Sequence, residues 1–270
     1  MNEEHYFETI SEYKLLAKHE VGQNFLVDKT SAKRIVDLLQ IEEGDHVLEI
    51  GSGAGSLSYY LSFHSNPITL IDIDEGLVTK LKNDFASHQN IEVLQANALK
   101  YDISSFTKIV GNLPYYITSS LLERILLCGT SCKIASIMVQ KEVFSRLSSH
   151  PKQDGYGPLP ILISYLTTIR KEFVVPRSFF LPAPHVDSLV FTLTFNKNAS
   201  HEVAVSLYRF LNALFLHRRK TILNNLSSFL ADEEKAKSAL LEAGIQENKR
   251  PEEIDLKGYL SLLSILHSSK

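Results

Sequence analysis

His46-Val-Leu-Glu-Ile-Gly-Ser-Gly-Ala-Gly55 carries a short apolar run into a glycine-rich turn, and residues 56–63 beyond it have helical periodicity. A buried strand, a turn whose backbone can approach a ligand, and a helix N-terminus together open an α/β nucleotide-type fold. The turn reads G-x-G-x-G followed by Ser56 rather than G-x-G-x-x-G, and the next apolar run ends in Asp72, 21 positions after Gly51. An acid at the end of the second strand can accept hydrogen bonds from both hydroxyls of a ribose. Gly51, Gly53 and Asp72 are therefore candidate ligand residues.

Outward from this unit, short β-branched-rich runs at 68–73, 91–96, 108–111 and 134–139 predict further buried strands. Amphipathic segments at 31–39, 75–85 and 118–127 predict the helices between them, the alternation of a parallel sheet covered on both faces. A helix is expected after Tyr156-Gly-Pro158, and then runs 169–175 and 189–195 flank the elbow Val175-Pro-Arg-Ser-Phe-Phe-Leu-Pro-Ala-Pro184. That pattern reads as two sheet-edge strands joined by a rigid loop. Beyond the polar break at 196–200 only helical periodicity appears, at 203–216, 220–230, 233–242 and 256–266. The expected organisation is a Rossmann-like α/β domain over 1–196 and a small all-helical domain over 197–270.

The chain has 270 residues, 44% of them hydrophobic and 22% charged, which excludes disordered, collagenous and coiled-coil classes. No apolar stretch approaches the roughly 20 residues that cross a bilayer. The N-terminus, with Glu3, Glu4 and Glu8, lacks the basic-then-apolar order of a signal peptide. A cytoplasmic, monomeric protein without a membrane partner is the expectation. Cys128 and Cys132 have no second pair with which to complete a zinc site, so buried thiols and no metal are expected. The net charge of -3 speaks against a nucleic-acid partner until its distribution is read. Residues 205–225 hold Arg209, Arg218, Arg219 and Lys220 with no acid, whereas 231–255 hold eight acids against four bases. A basic helix end at Arg218, Arg219 and Lys220 can thus bind phosphates on an acidic protein.

The E-I-G-x-G-x-G turn is of the kind found in S-adenosylmethionine-dependent methyltransferases. Six further motifs sharpen the likeness: Gly22-Gln-Asn-Phe-Leu26, Asn97-Ala-Leu99, Gly111-Asn-Leu-Pro-Tyr-Tyr116, Val139-Gln-Lys-Glu-Val143, Phe180-x-Pro-x-Pro with Val186-Asp-Ser188, and Arg218-Arg-Lys-Thr221. In this order they closely resemble the KsgA family, small-subunit ribosomal RNA adenine N6,N6-dimethyltransferases. The resemblance implies S-adenosylmethionine as cofactor and the small ribosomal subunit with its 16S RNA as partner. It also implies methylation of two adjacent adenines near the 3′ end of that RNA and assistance to subunit biogenesis.

Carried over by position, the resemblance implies that Asn24 and Leu26 line the methionine end of the cofactor, Gly51 and Gly53 its backbone path, and Asp72 the ribose. Asn97 and Asn112 complete the set, with Asp72 standing where the family usually has Glu and Asn97 where it usually has Asp. The adenine amino nitrogen is a poor nucleophile because its lone pair is delocalised into the ring. Acceptors at Asn112 and at the Leu113 carbonyl, in a turn stiffened by Pro114, can turn that pair toward the methyl donor. Tyr115 would stack on one face of the target base and Phe180 on the other. After the first methyl only one amino hydrogen remains for two acceptors, which an open turn at 112–113 would tolerate. His185, where the family usually has Lys, removes a charge from the elbow. Two other readings stand beside this one: a large-subunit RNA adenine methyltransferase, whose corresponding tetrapeptide more often has Ile at the position of Leu113, and an assembly factor that acts mainly by binding.

Overall fold

The computed structural model describes residues 2–12 and 23–268, so Gly22 of the first motif lies outside the described residues. The chain divides into two compact units, residues 1–144 with 168–195, and residues 145–167 with 196–270. The first unit is built on a seven-stranded sheet of β2 (Val47–Ile50), β3 (Ile68–Asp72), β4 (Ile91–Gln95), β5 (Lys108–Asn112), β6 (Ile134–Gln140), β7 (Thr167–Val175) and β9 (Ser188–Phe195). Their order across the sheet is β4-β3-β2-β5-β6-β9-β7. β2 pairs in parallel with β3 and β5, β3 with β4, and β5 with β6, while β9 runs antiparallel to β6. β2 is buried at all four positions, as a strand covered on both faces must be. Because the chain builds outward from β2 in both directions, the loops after β2 and β5 diverge and leave a crevice at their carboxyl ends.

The elbow differs from expectation. β7 is an edge strand, but β9 lies between β6 and β7, and its first six residues are buried. The proline-rich segment therefore returns the chain into the sheet. Within it, β8 (Phe180–Leu181) pairs with the two-residue strand β1 (Phe25–Leu26), which ties the elbow to the N-terminal motif.

Four of the described helices of this unit follow the predicted stretches. Asp28 and Asp74 cap α2 (Lys29–Asp37) and α4 (Glu75–Asp84) by accepting from backbone N–H groups of the first turn. α3 (Ser56–Leu61) starts at Gly55 and α5 (Thr118–Cys128) follows β5, whereas α6 (Lys141–Leu147), which follows β6 and runs across the boundary at 144/145, has no counterpart among the predicted helices. An unpredicted helix, α1 (Glu3–Glu12), buries Tyr6, Phe7 and Ile10. Tyr6 stacks on Tyr59 of α3 at 4.8 Å between ring centroids. A side chain at Gly55 would collide with the Tyr6 hydroxyl, and Gly55 also holds φ +98°, so only glycine fits there.

The second unit takes in residues 145–167, including the whole of α7 (Pro158–Leu166), a stretch that the expected boundary at 196/197 puts with the sheet. With α8 (His201–Leu214), α9 (Ile222–Leu230), α10 (Glu233–Glu242) and α11 (Leu256–Ser268) it encloses its own core around Tyr156, Phe210, Phe215 and Tyr259. The buried Tyr156 and Tyr259 hydroxyls donate to the carbonyls of Ile254 and Pro251 at 2.9 and 2.5 Å. Among the described residues no helix is long and apolar enough to cross a membrane.

Candidate active site

A cavity of about 230 Å³ opens at the carboxyl ends of the parallel strands of the first unit. It gathers Asn24, Leu26, Gly51, Gly53, Asp72, Asn97, Asn112, Leu113 and Pro114 from five separate stretches of chain. The turn after β2 is fixed by Gly51 and Ser52 N–H donating to the Ile71 carbonyl at 2.9 and 3.2 Å. Gly53 holds φ +55°, and a Cβ there would lie 3.3 Å from the Phe25 ring. The absence of a side chain thus keeps the cavity floor open next to the N-terminal motif.

Asp72 ends β3 with its carboxylate almost wholly buried. One oxygen accepts from Gly53 N–H at 2.8 Å and the other from Asp74 N–H at 2.9 Å. Burial raises its pKa from its ordinary value, and these backbone donors oppose the rise. Each oxygen retains a second lone pair, so a diol can still be held bidentately. Asn97 is exposed at the cavity edge, and its Oδ1 accepts from Leu99 N–H at 2.9 Å, leaving one lone pair for a ligand amino group.

Asn112 is the last residue of β5, paired with Met138, and its Nδ2 donates to the Asn24 carbonyl at 3.3 Å. Its Oδ1 is buried and has no partner within the protein. An unsatisfied buried acceptor costs about 1 to 3 kcal/mol, so it marks a position where a ligand donor belongs. The turn is closed rather than open: Leu113 is 1% exposed and its N–H donates to the Met138 carbonyl at 3.1 Å. Pro114 precedes the single turn Tyr115–Ile117, and the Tyr115 side chain lies outside the described residues.

Phe180 requires correction. It is 0% exposed, belongs to the hydrophobic core through the β1–β8 pairing, and does not line the cavity. A ring enclosed on all sides by its own protein has no face for a base.

Glu49 was missed as a site residue. It lies in the middle of β2, 1% exposed, and lines the cavity while accepting from the Ser58 hydroxyl at 2.6 Å. Burial pushes its carboxyl up to about 8; the Ser58 hydrogen bond works against this and the Asp72 charge adds to it. Its place in the E-I-G-x-G-x-G motif was visible, but an acid inside an otherwise apolar strand was the signal that could have marked it.

The buried oxygen of Asn112, the carboxylate of Asp72 and the backbone cradle at Gly51 and Gly53 fit the cofactor that the motifs imply. They offer acceptors for a diol and an amino group together with an open backbone path. Among the described residues no cluster of His, Cys, Asp or Glu could hold a metal ion.

In the second unit the basic motif lies after α8. Arg218 is half-exposed, and its guanidinium donates to Glu252 at 3.1 Å and to the Tyr156 carbonyl at 3.3 Å, so part of its charge is spent internally. Arg219 and Lys220 are exposed. The backbone bond from Ile222 N–H to the Lys249 carbonyl, at 2.6 Å, brings Lys249 and exposed Arg250 beside them. These two cations are hidden in the sequence because they sit within the net-acidic stretch 231–255.

Comparison with known proteins adds an independent line. The family model described as ribosomal RNA adenine dimethylase matches residues 15–268. The ribosomal RNA small subunit methyltransferase A of Streptococcus gordonii is 34% identical over 267 residues, covering 93% of this chain and 92% of its own. Its namesake from Mycoplasma mycoides is 35% identical over 263 residues, covering 94% and 98%. Among solved structures, a dimethyladenosine transferase from Plasmodium falciparum superposes with a TM-score of 0.79 at 24% identity over 90% of this chain and 98% of its own, a likeness of fold. The 23S rRNA methyltransferase ErmE superposes with a TM-score of 0.67 at 25% identity, covering 90% and 99%.

Proposed function

The chain belongs to the ribosomal RNA adenine dimethylase family, and from that premise we propose that it dimethylates N6 of two adjacent adenines near the 3′ end of small-subunit 16S ribosomal RNA, with S-adenosylmethionine as methyl donor. The observation that carries this reading at the site is the buried, unpartnered Oδ1 of Asn112 at the end of β5. When bound, the cofactor supplies an electrophilic methyl group, so the protein's task is placement. Asn112 Oδ1 and the Leu113 carbonyl accept from the adenine amino hydrogens and turn the nitrogen lone pair out of the ring. Each transfer would form one N–CH3 bond as the donor's S–CH3 bond breaks, leaving S-adenosylhomocysteine and releasing one amino proton to water. Orientation of this kind is worth roughly 7 to 11 kcal/mol in favourable systems, which makes a strong general base unnecessary. Asp72 holds the ribose, Asn97 the cofactor's adenine amino group, Asn24 and Leu26 the methionine end, and Gly51 and Gly53 the backbone path between them. Tyr115 stacks on the target base.

The α/β unit does this chemistry, and the helical unit reads the RNA through Arg219, Lys220 and, to a smaller degree, Arg218. The protein works as a cytoplasmic monomer with no membrane partner and assists small-subunit maturation. The curated relatives, named for the small subunit, support that substrate over the large-subunit alternative suggested by the likeness to ErmE. The test is incubation of the protein and labelled S-adenosylmethionine with unmethylated small or large subunits, then mapping of the label. Label on two neighbouring adenines of 16S RNA is expected; label confined to large-subunit RNA, or none on either, overturns the reading.

A further inference from the structure

The turn after Pro114 places an aromatic ring at the cavity, where the aliphatic Ile73, 58% exposed, is the other large apolar lining side chain left in water. Tyr116 lines the cavity yet is 63% exposed, whereas nearby Leu113 is 1% exposed and Phe180, the other aromatic expected here, is fully enclosed. A lining ring that keeps most of its surface in water sits at the rim, not in the interior. An exposed aromatic there costs apolar hydration and fills no core, so its geometry suits an external planar partner.

We propose that Tyr116 is a substrate-contacting residue that stacks on the nucleotide beside the target adenine, outside the cavity. This rests on the proposed RNA methylation. An adenine whose amino group reaches Asn112 has left its stack, at a cost of a few kcal/mol, and its chain neighbour loses a stacking partner at the same moment. The Tyr116 ring replaces that missing face while the target base occupies the interior. The ligand class is an unpaired purine nucleotide, and the contact is the π-face of the ring rather than its hydroxyl.

Two measurements on the full chain test this. The first is the fluorescence of a single-stranded RNA carrying 2-aminopurine next to an adenine, titrated with protein in the presence of S-adenosylhomocysteine. The native protein and Tyr116→Phe are expected to quench it, and Tyr116→Ala to forfeit most of the quenching. The second is steady-state methylation of unmethylated small subunits, where Tyr116→Ala raises KM for the subunit roughly tenfold, the effect falling on KM rather than kcat, while Tyr116→Phe stays near the native value. Equal quenching by native protein and Tyr116→Ala overturns the rim contact, as does a defect in Tyr116→Phe as large as in Tyr116→Ala. If quenching depends on the ring but no methyl reaches subunit adenines, the rim contact stands and the substrate reading falls.

Discussion

Two buried carboxylates of the same cavity answer differently to pH and ligand. Glu49 is pushed up to about 8 by burial, above its ordinary value of 4.5, so the native state binds a proton that the unfolded chain releases. Its contribution to stability is present below about 4.5 and is lost as pH rises through about 8. Glu49→Gln keeps an acceptor for the Ser58 hydroxyl and removes the titration. The variant should therefore gain on the native protein with rising pH, at no more than about 1.4 kcal/mol per unit, in melting temperatures recorded from pH 5 to 8. Parallel curves would show that Glu49 ionises freely. If Asp72 holds the ribose as proposed, Asp72→Ala removes two charge-assisted acceptors of roughly 1.5 to 3 kcal/mol each before water compensates. It should lose most S-adenosylmethionine affinity by calorimetry, and unchanged affinity would remove Asp72 from the site. Asn112→Ala should abolish methylation with a smaller effect on cofactor affinity. Subunit profiles in cells carrying it then tell catalysis from an assembly role, since a mainly binding protein would restore maturation without the methyl groups.

At the level of elements, the amino ends of three neighbouring strands converge on one acid. Asp45, just before β2, accepts from the Lys133 ammonium at 2.9 Å and the Thr107 hydroxyl at 2.8 Å, with Lys108 3.5 Å away. Burial alone would raise its pKa, but the Lys133 hydrogen bond, the Glu42 N–H, Thr107 and the Lys108 charge bring it down to about 2. Its stabilisation holds above the ordinary value of 3.8 and disappears as pH falls through about 2. Asp45→Asn leaves the buried Lys108 without its anion and should cost on the order of 3 kcal/mol in denaturant unfolding at pH 7, with the gap closing in strong acid. The strands joined here were legible because each is a compact apolar run bounded by polar residues. α1 was not, since its three buried residues, Tyr6, Phe7 and Ile10, acquire a face only against Tyr59 and Tyr60. β1 and β8 are two residues each and exist only through one another. Phe180 misled for the same reason: the motif marks the position, but which way the ring faces is set by a pairing between distant segments.

For the whole molecule, motif spacing made most of the cavity readable, because Gly51, Gly53, Asp72, Asn97 and Asn112 each end or follow a strand of one sheet and parallel order brings those strand ends together. Asn24 and Leu26 instead reach it through the separate β1–β8 pairing. The basic cluster proposed to meet the RNA was only half readable, since Lys249 and Arg250 reach Arg219 and Lys220 through a backbone bond that no charge tally along the chain can foresee. A protein of net charge -3 must bind RNA through local fields, which at physiological salt fade over roughly 8 Å. Clustering therefore matters more than total charge. If these four cations pair with phosphates, replacing all four with Ala should weaken subunit binding and leave S-adenosylmethionine affinity intact. Removal of each cation–phosphate pair should lower the slope of log affinity against log salt by somewhat less than one unit. Arg218→Ala alone should change the slope less than any of the four, because Glu252 already neutralises part of its charge. Binding measured from low to physiological salt decides the matter. A slope unaltered by the fourfold variant would move the phosphate-binding surface to the α/β unit, where Lys141, exposed at the carboxyl end of β6, is the first residue to replace.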